Sequence, residues 1–280
     1  MPEFLQPTSL AQALELLREK KDVRFLNGGT DLIVQLRARA VDCRYLMDIK
    51  RIPELHAFTY TLEGLTIGAA VTCSQILHAD FLNEEHKLLQ DAAITLANDL
   101  LRNRATLSGN ICNASPGGDM IPACLVLKAN LHTISLRGER IIPLYEFFTG
   151  VKKHVLLDDE LVVKITFPNM PGKGVYLKKR RIRGHDLAQV GLAGFFGEDG
   201  NISFAAAAVG PTPILIADIG SFTPSELVAN KEDIKNRVIA RVKPISDVRS
   251  SKEFRLAMLN YFVSLAVDGF ATGVKAEVRA

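Results

Sequence analysis

Tryptophan is absent from the sequence, and cysteine is scarce, since Cys43, Cys73, Cys112 and Cys124 are widely spaced and form no Cys-x-x-Cys pair. This spacing argues against a zinc site and against a disulfide-stabilised scaffold, so free thiols in a reducing cytoplasm are expected. No uninterrupted apolar run approaches the roughly 20 residues that span a bilayer, and the N-terminus lacks a charged segment followed by an apolar core. We therefore predict neither a membrane span nor a signal peptide.

An excess of one charge sign is also missing, because 34 basic and 31 acidic residues leave a net charge of only +3. A nucleic-acid-binding protein usually shows a clustered basic face. The densest basic run, residues 178–183, contains no interleaved aromatic platform and is typical of a solvated face. Binding to DNA through this run stays a minor alternative, which predicts salt-sensitive binding.

Motifs for hydrolytic or metal-dependent catalysis are absent as well. The sequence has no local Ser-His-Asp signature, no His-Glu-x-x-His motif and no paired acidic residues with metal spacing, and its six histidines are scattered. We predict no catalytic residue and no metal ligand. A hydrophobic content of 48% over 280 residues instead indicates a globular protein with a large core.

Hydrophobic periodicity predicts mixed helices and strands through the first 170 residues. Ser9 and Gln12, like Thr72 and Gln75, have the spacing of a capping box at a helix start. The strongest apolar stripe, with a repeat of four, predicts one helix over residues 86–103. Other helices are predicted at residues 9–20, 32–37 and 121–129, and strands at 23–26, 44–49, 62–70, 131–136 and 161–167.

A Gly-Gly pair, Gly28 and Gly29, stands between the strand at 23–26 and the helix at 32–37. Successive backbone N–H groups before a helix N-terminus form a concave donor set that suits a phosphate. The spacing matches neither G-x-G-x-x-G nor a Walker A motif. Taken alone, a Gly-Gly pair is more often a tight turn, so both interpretations stay open.

A second stretch, residues 106–119, combines small residues, two asparagines, a proline and an aspartate. We expect it to form a loop, because glycine allows close backbone approach and asparagine tolerates left-handed conformations. Such a loop suits hydrogen bonding to a ligand, but on composition alone a plain surface loop is equally expected.

Residues 168–174 contain two prolines and two glycines and are the best candidate for a linker. Beyond them, the pattern predicts a three-stranded sheet followed by helices, which is typical of a separate α+β unit. The strands are predicted at residues 175–179, 187–196 and 202–209, with a turn at 198–201, and the helices at 225–242 and from Ser250 onward.

These features together resemble the FAD-binding (medium) subunits of the molybdenum hydroxylases, the family of xanthine, carbon monoxide and nicotinate dehydrogenases. Residues 25–33, Phe-Leu-Asn-Gly-Gly-Thr-Asp-Leu-Ile, are similar to the family's first FAD-diphosphate loop. Residues 102–119 resemble its second loop, and Lys178 followed by Asp-Leu-Ala-Gln-Val at 186–190 resembles its later strand motif. Three ordered motifs over the whole length are more specific than any one of them.

The resemblance implies an α+β fold with FAD in a cleft. A vanillyl-alcohol-oxidase-type (PCMH-like) FAD-binding domain would cover residues 1–170, with two subdomains divided near residues 50–60, and a C-terminal domain would cover 174–280. The two loops would contact the diphosphate and ribityl groups, Val163 the adenine end, Lys178 a polar group and Leu187 the isoalloxazine. The implied cofactor-binding residues are Leu26, Asn27, Gly28, Gly29, Thr30, Asp31, Leu32, Ile33, Thr106, Leu107, Ser108, Gly109, Asn110, Asp119, Val163, Lys178 and Leu187.

The resemblance also implies an electron-transfer flavoprotein subunit that is active in a cytoplasmic complex. A [2Fe-2S] small subunit and a molybdopterin large subunit would carry the other cofactors, and NAD⁺ or another acceptor would receive the electrons. One alternative is a self-sufficient FAD-dependent oxidoreductase of the same fold, which would turn over a small substrate without partner chains. Another is a non-enzymatic subunit that has lost FAD, against which the intact Gly28-Gly29 and Gly109-Asn110 pairs argue.

Two positions depart from the family pattern. The family often has glycine at position 108, and if that position needs a positive φ, Ser108 costs on the order of 1 kcal/mol. Some members carry an aromatic residue near position 96 against the flavin, where this chain has Leu96.

Overall fold

The computed structural model describes residues 2–182 and 186–274 of the chain. Arg183, at the end of the basic run, and residues 275–280, in the predicted C-terminal domain, lie outside the described residues. No helix within the described ranges is long and apolar enough to cross a membrane.

The N-terminal part is a parallel three-stranded sheet with strand order β1-β3-β2. The hydroxyl of Ser9 caps the first helix by accepting from the Gln12 backbone N–H at 3.1 Å, as its spacing predicts. Both predicted strands and both predicted helices are confirmed, while β1 was not predicted. The elements are β1 (Glu3–Leu5), α1 (Leu10–Glu19), β2 (Val23–Leu26), α2 (Leu32–Arg37) and β3 (Tyr45–Asp48).

The middle of the chain forms an antiparallel five-stranded sheet with strand order β4-β5-β10-β6-β7. The three central strands are the predicted ones. The two edge strands were not predicted, because their side chains are largely exposed and carry no clear alternation. The sheet contains β4 (Phe58–Thr61), β5 (Gly64–Gly68), β6 (Asn130–Ser135), β7 (Gly138–Pro143) and β10 (Leu161–Phe167), and a small pair, β8 (Phe148–Gly150) and β9 (Lys153–His154), lies beside it.

The helix predicted over residues 86–103 is wrong as one element, because the first helix ends at Thr95 and a second begins after a short turn. Ala97 has a φ of +46°, and the Asn98 side chain caps a new helix by accepting from the Leu101 N–H at 3.0 Å. Arg102 donates to the carbonyl oxygens of Ile94 (3.1 Å) and Leu96 (2.7 Å). These hydrogen bonds provide donors for carbonyl groups at the C-terminal end of the first helix. The two helices are α4 (Lys87–Thr95) and α5 (Asp99–Arg102), after a short α3 (Cys73–Leu77).

The predicted loop at residues 106–119 contains a helix, α6 (Leu107–Cys112). The Thr106 hydroxyl caps it by accepting from the Gly109 N–H at 3.0 Å. This cap explains why a stretch of small polar residues is helical. The buried helix α7 (Ile121–Val126) follows, as predicted.

The C-terminal sheet has four antiparallel strands where three were predicted. The fourth is short and follows a segment with two prolines. The predicted helix over 225–242 is wrong as one element, since it is divided at Asn230. The elements are β11 (Gly172–Lys179), β12 (Val190–Gly197), β13 (Ile202–Ala207), β14 (Ile214–Ile216), α8 (Pro224–Ala229), α9 (Lys231–Ile239) and α10 (Lys252–Thr272).

The C-terminal sheet is buried on both faces. One face packs on α4 and α7, and Tyr176, Ala193, Phe195 and Ala205 belong to the large core that also includes the first two sheets. The other face packs on α10 in a separate core. The sheet therefore fixes the C-terminal helices to the rest of the chain and closes one side of a large cleft.

Candidate functional site

A large cleft of about 1630 Å³ lies between the three sheets. It exceeds the roughly 300–1,000 Å³ that is typical of sites for drug-sized ligands. Its walls come from the loop after β2, from α6 and the segment behind it, and from C-terminal segments near residues 187–188, 208–211 and 245–255. Residues from both halves of the sequence therefore line the same cleft, where they can contact one ligand.

Most of the predicted FAD residues line this cleft, and five do not. Leu26 and Leu107 are buried in the protein, and Lys178 is buried against Asp119. Ile33 packs beside Gly29, and the half-buried Val163 accepts from the Ala69 N–H at 2.9 Å, next to the lining residue Val162. The predicted residues that line the cleft are Asn27, Gly28, Gly29, Thr30, Asp31, Leu32, Thr106, Ser108, Gly109, Asn110, Asp119 and Leu187.

The first loop depends on glycine at position 29. Gly29 has a φ of +72°, and a Cβ there would stand 2.8 Å from Leu26 Cδ1. Its carbonyl accepts from the Ile33 N–H at 3.1 Å and so begins α2. No side chain caps this helix, and in the described parts of the chain the N–H groups of residues 28–31 have no protein acceptor. The loop thus presents uncommitted donors beside a helix N-terminus.

Gly28 allows the two loops to pack closely against each other. A Cβ at this position would stand 2.0 Å from the Arg104 carbonyl oxygen and 2.8 Å from its carbon. Those distances are far below van der Waals contact and involve rigid backbone. The glycine is therefore required because the first loop packs directly on the chain that leads into α6.

A hydrogen-bonded network joins the loops through Ser108. The Asn27 amide donates to Ser108 Oγ at 3.0 Å and to the Ala69 carbonyl, and Ser108 Oγ donates to the same carbonyl at 2.8 Å. Ser108 lies inside α6 and is not among the residues with positive φ. The strain that a positive φ would cause is therefore absent, and the hydroxyl makes a contact that glycine lacks.

Lys50 and Asp48 support the first loop, although neither was among the predicted site residues. Lys50 Nζ donates to the Asn27 carbonyl at 3.1 Å and to Asp48 Oδ1 at 2.6 Å. Asp48 ends β3, the central strand of the parallel sheet. Ligands of such sheets bind at the carboxyl ends of strands, which is the signal that identifies this pair.

Lys178 connects the C-terminal sheet to the segment behind α6. Its ammonium donates to Asp119 Oδ2 at 2.8 Å and to the Thr95 carbonyl at 3.0 Å, and both charged side chains are buried. The polar contacts that the structure gives Lys178 are therefore with the Thr95 carbonyl and with Asp119, which lines the cleft. In addition, Asn110 Oδ1 accepts from the Met120 N–H at 3.2 Å and holds α6 to the same segment.

Apolar side chains line the cleft near the C-terminal half. Leu187 is 46% exposed there, and Leu96, Ala97 and Ala188 line the same cleft. No aromatic side chain is at position 96, as the sequence shows. These aliphatic side chains make part of the cleft lining apolar, and Leu187 is exposed to solvent there.

The cleft thiol is not an activated nucleophile. Cys112 lines the cleft, and burial raises the pKa of its thiol to about 12. It is therefore protonated at neutral pH and behaves as a small apolar group.

These features fit an extended dinucleotide such as FAD. The uncommitted N–H groups and the helix N-terminus at residues 28–32 suit a diphosphate, and the aliphatic end suits a flat ring. The protein residues of the first and second loops would bind the anionic part, and Leu187 would contact the ring. These residue roles remain predictions.

Comparisons with known proteins agree with this fit. Residues 1–170 match the family described as "FAD binding domain in molybdopterin dehydrogenase". Over 266 residues the chain is 33% identical to the xanthine dehydrogenase FAD-binding subunit of Escherichia coli O157:H7, covering 91% of each. It is 32% identical over 265 residues to the glyceraldehyde dehydrogenase medium chain of Sulfolobus acidocaldarius, covering 91% of this chain and 93% of that one.

A solved structure extends the agreement to the whole fold. Carbon monoxide dehydrogenase from Oligotropha carboxidovorans superposes with a TM-score of 0.91 at 25% identity, covering 97% of this chain and 98% of that one. The match spans both halves of the sequence. The α+β fold of the vanillyl-alcohol-oxidase type that was predicted from the sequence is confirmed.

Proposed function

The chain belongs to the family of FAD-binding domains of molybdopterin dehydrogenases, and from this premise we propose that it passes electrons from a [2Fe-2S] partner to NAD⁺ or another acceptor. It is an FAD-dependent oxidoreductase subunit that is active as part of a complex. A bound flavin exchanges both single electrons and electron pairs, which a relay between such centres requires. The protein's part is to hold that group and set its surroundings.

The observation that carries this proposal is the shape of the cleft. Two loops, joined through Asn27 and Ser108, lie at its polar part, while Leu187 marks an apolar part that is open to solvent. A cofactor held this way keeps its diphosphate on fixed donors and leaves its ring within reach of other molecules. That arrangement suits electron exchange with a partner and an acceptor.

The names of two relatives, one a subunit and the other a medium chain, support the proposal that this chain works with partner chains. We infer that a large subunit carries molybdopterin and hydroxylates the substrate, while a small subunit carries the [2Fe-2S] centre. We also propose residues 1–170 and 174–280 as the two domains. A cytoplasmic location belongs to the same proposal, since all four cysteines are free thiols.

Untagged purification followed by anaerobic mixing tests the electron path. The co-purified complex should lose its flavin absorbance on addition of the substrate that the large subunit hydroxylates, which supplies the electrons, and regain it on addition of the acceptor. The isolated chain with FAD should show neither change with that substrate, although dithionite should bleach its flavin. Substrate turnover by the isolated chain would instead establish a self-sufficient oxidoreductase.

A further inference from the structure

The C-terminal half holds the segment behind α6 through the backbone of Ala208. The Ala208 N–H donates to the Pro116 carbonyl at 2.6 Å, across the boundary between the two proposed domains. Ala208 has a φ of +62°, which is unfavourable for a residue with a Cβ. Such a conformation persists only where the surroundings fix it.

Arg255, on α10, is the group that fixes this peptide. Its side chain is buried, and Nη1 donates to the carbonyl oxygens of Ala208 and Gln189, each at 2.7 Å. Nη2 donates to Asp247 Oδ1 at 2.7 Å. One guanidinium therefore joins the end of β13, the start of β12 and the loop before α10.

The partners of Arg255 are themselves fixed. Asp247 Oδ1 also accepts from the N–H groups of Arg249 (2.9 Å) and Ser250 (3.1 Å). The Gln189 side chain donates to the Arg249 carbonyl at 2.6 Å. A planar guanidinium can serve two carbonyls and a carboxylate at once, whereas an ammonium on a flexible stem cannot reproduce this geometry.

We propose that Arg255 is a positioning residue for the FAD site. Through Ala208 it fixes the Pro116 carbonyl and thus the segment that carries Asp119. Through Gln189 it fixes the backbone next to Leu187. The inference rests on the proposed assignment of Asp119 and Leu187 to FAD, and it makes the C-terminal core part of the cofactor site.

The test is Arg255→Lys in the full chain, with Arg237→Lys as a matched control. Arg237 also joins a carbonyl (Ile219, 3.2 Å) to a carboxylate (Asp233, 2.7 Å), but on α9 and away from the cleft. We measure the FAD dissociation constant, the visible circular dichroism of the bound flavin and the thermal unfolding of the apoprotein. Arg255→Lys should weaken FAD binding roughly tenfold or more and change the flavin signal.

Arg237→Lys should leave both FAD readouts at the wild-type level, whatever it does to unfolding. Wild-type affinity and flavin signal in Arg255→Lys would overturn the inference, as would equal losses in the two variants. If Arg255→Lys does not fold, Asp247→Asn takes its place, with a weaker effect in the same direction. Gly29→Val in the first loop tests separately whether the cleft holds FAD. FAD retained in Gly29→Val contradicts the cofactor site itself, whereas loss of FAD in Gly29→Val with wild-type binding in Arg255→Lys overturns only the inference about Arg255.

Discussion

At the scale of single residues, the first loop depends on backbone geometry that only glycine provides. We expect Gly29→Val to abolish FAD retention, because the φ of +72° disfavours a branched side chain and the new Cβ would stand 2.8 Å from Leu26 Cδ1. Flavin fluorescence after desalting measures the retained cofactor. Gly273→Val is the matched control, since Gly273 has a φ of +71° at the end of α10 with no atom within 4 Å of a Cβ.

Both glycine variants carry the same backbone strain of about 1–2 kcal/mol, but only the first alters the loop. Flavin retained in Gly29→Val at the level of Gly273→Val would contradict the assignment of the first loop to FAD.

The contact of Lys50 with the first loop gives a second prediction. Lys50→Met removes the donor to the Asn27 carbonyl, so this peptide is no longer fixed and FAD should bind roughly tenfold more weakly. Equilibrium titration of the apoprotein with FAD measures the effect. Lys231→Met is the control, because Lys231 is similarly exposed, at 29% against 32%, and pairs with Asp268 far from the loop. Equal affinities in the two variants would count against a role for Lys50.

Some residues of the site could be predicted from the sequence and others could not, and the difference has a physical reason. Gly28 and Gly29 are informative in sequence because glycine itself signals an unusual backbone. Ser108 departs from the family pattern, and the sequence does not show what its hydroxyl does. Its hydrogen-bond partners, Ala69 and Asn27, are 39 and 81 positions away in the chain, so the contact is seen only in the folded structure. Lys50 was missed because a single charged residue carries no motif of its own, and only its place just after the carboxyl end of β3 distinguishes it.

At the scale of elements, helix capping and hydrophobic periodicity predict most of the helices and strands. Thr72 and Gln75 form the capping box that their spacing indicates, and the central strands lie where the apolar runs place them. The helix over 86–103 was wrong because its apolar stripe continues through the break. The positive φ of Ala97 and the Asn98 cap separate the two helices. The Arg102 guanidinium stabilises the break by donating to the Leu96 carbonyl. Hydrophobic periodicity contains none of these contacts.

The pair between β11 and the segment after α6 gives a prediction at this scale. Lys178→Met removes the cation from a buried pair, and the desolvated Asp119 carboxylate should lower the free energy of unfolding by about 3–5 kcal/mol. Denaturant unfolding measures it. The double variant Lys178→Met/Asp119→Leu should lose less than Lys178→Met alone, because both charges are then gone. A larger loss of unfolding free energy in the double variant would show that the unpaired Asp119 carboxylate is not what destabilises Lys178→Met.

At the scale of the whole molecule, the cleft is assembled by contacts that are distant in sequence. Ala208 bonds Pro116 and Lys178 pairs with Asp119, so the C-terminal half supports a site whose loops lie in the first half. Periodicity predicts that the two halves fold, but it contains no information about which face of one packs on the other. Only the resemblance of three ordered motifs to a known family indicated a shared cleft.

The pH dependence of stability is a property of the whole chain to which one buried histidine contributes. His86 is fully buried before α4, with its Nδ1 against Asn83 Oδ1 and its ring against the edges of Tyr60 and Phe167. Burial lowers the pKa of His86 to about 4, below its ordinary value of 6.5. As the pH falls below 6.5, the unfolded chain binds the proton first. Stability is therefore lost between about pH 6.5 and 4, by about 3 kcal/mol in total.

Substitution of this histidine isolates its share from that of the carboxylates. Urea unfolding of the wild type and of His86→Asn at pH 7.5, 5.5 and about 4 should give a stability difference that shrinks as the pH falls, because asparagine does not titrate. His78→Asn, at an exposed position, corrects for the loss of a histidine as such. A difference between wild type and His86→Asn that stays constant over this range would mean that His86 takes up its proton as readily in the folded chain as in the unfolded chain. The packing against Tyr60 and Phe167 would then have to accommodate a charge.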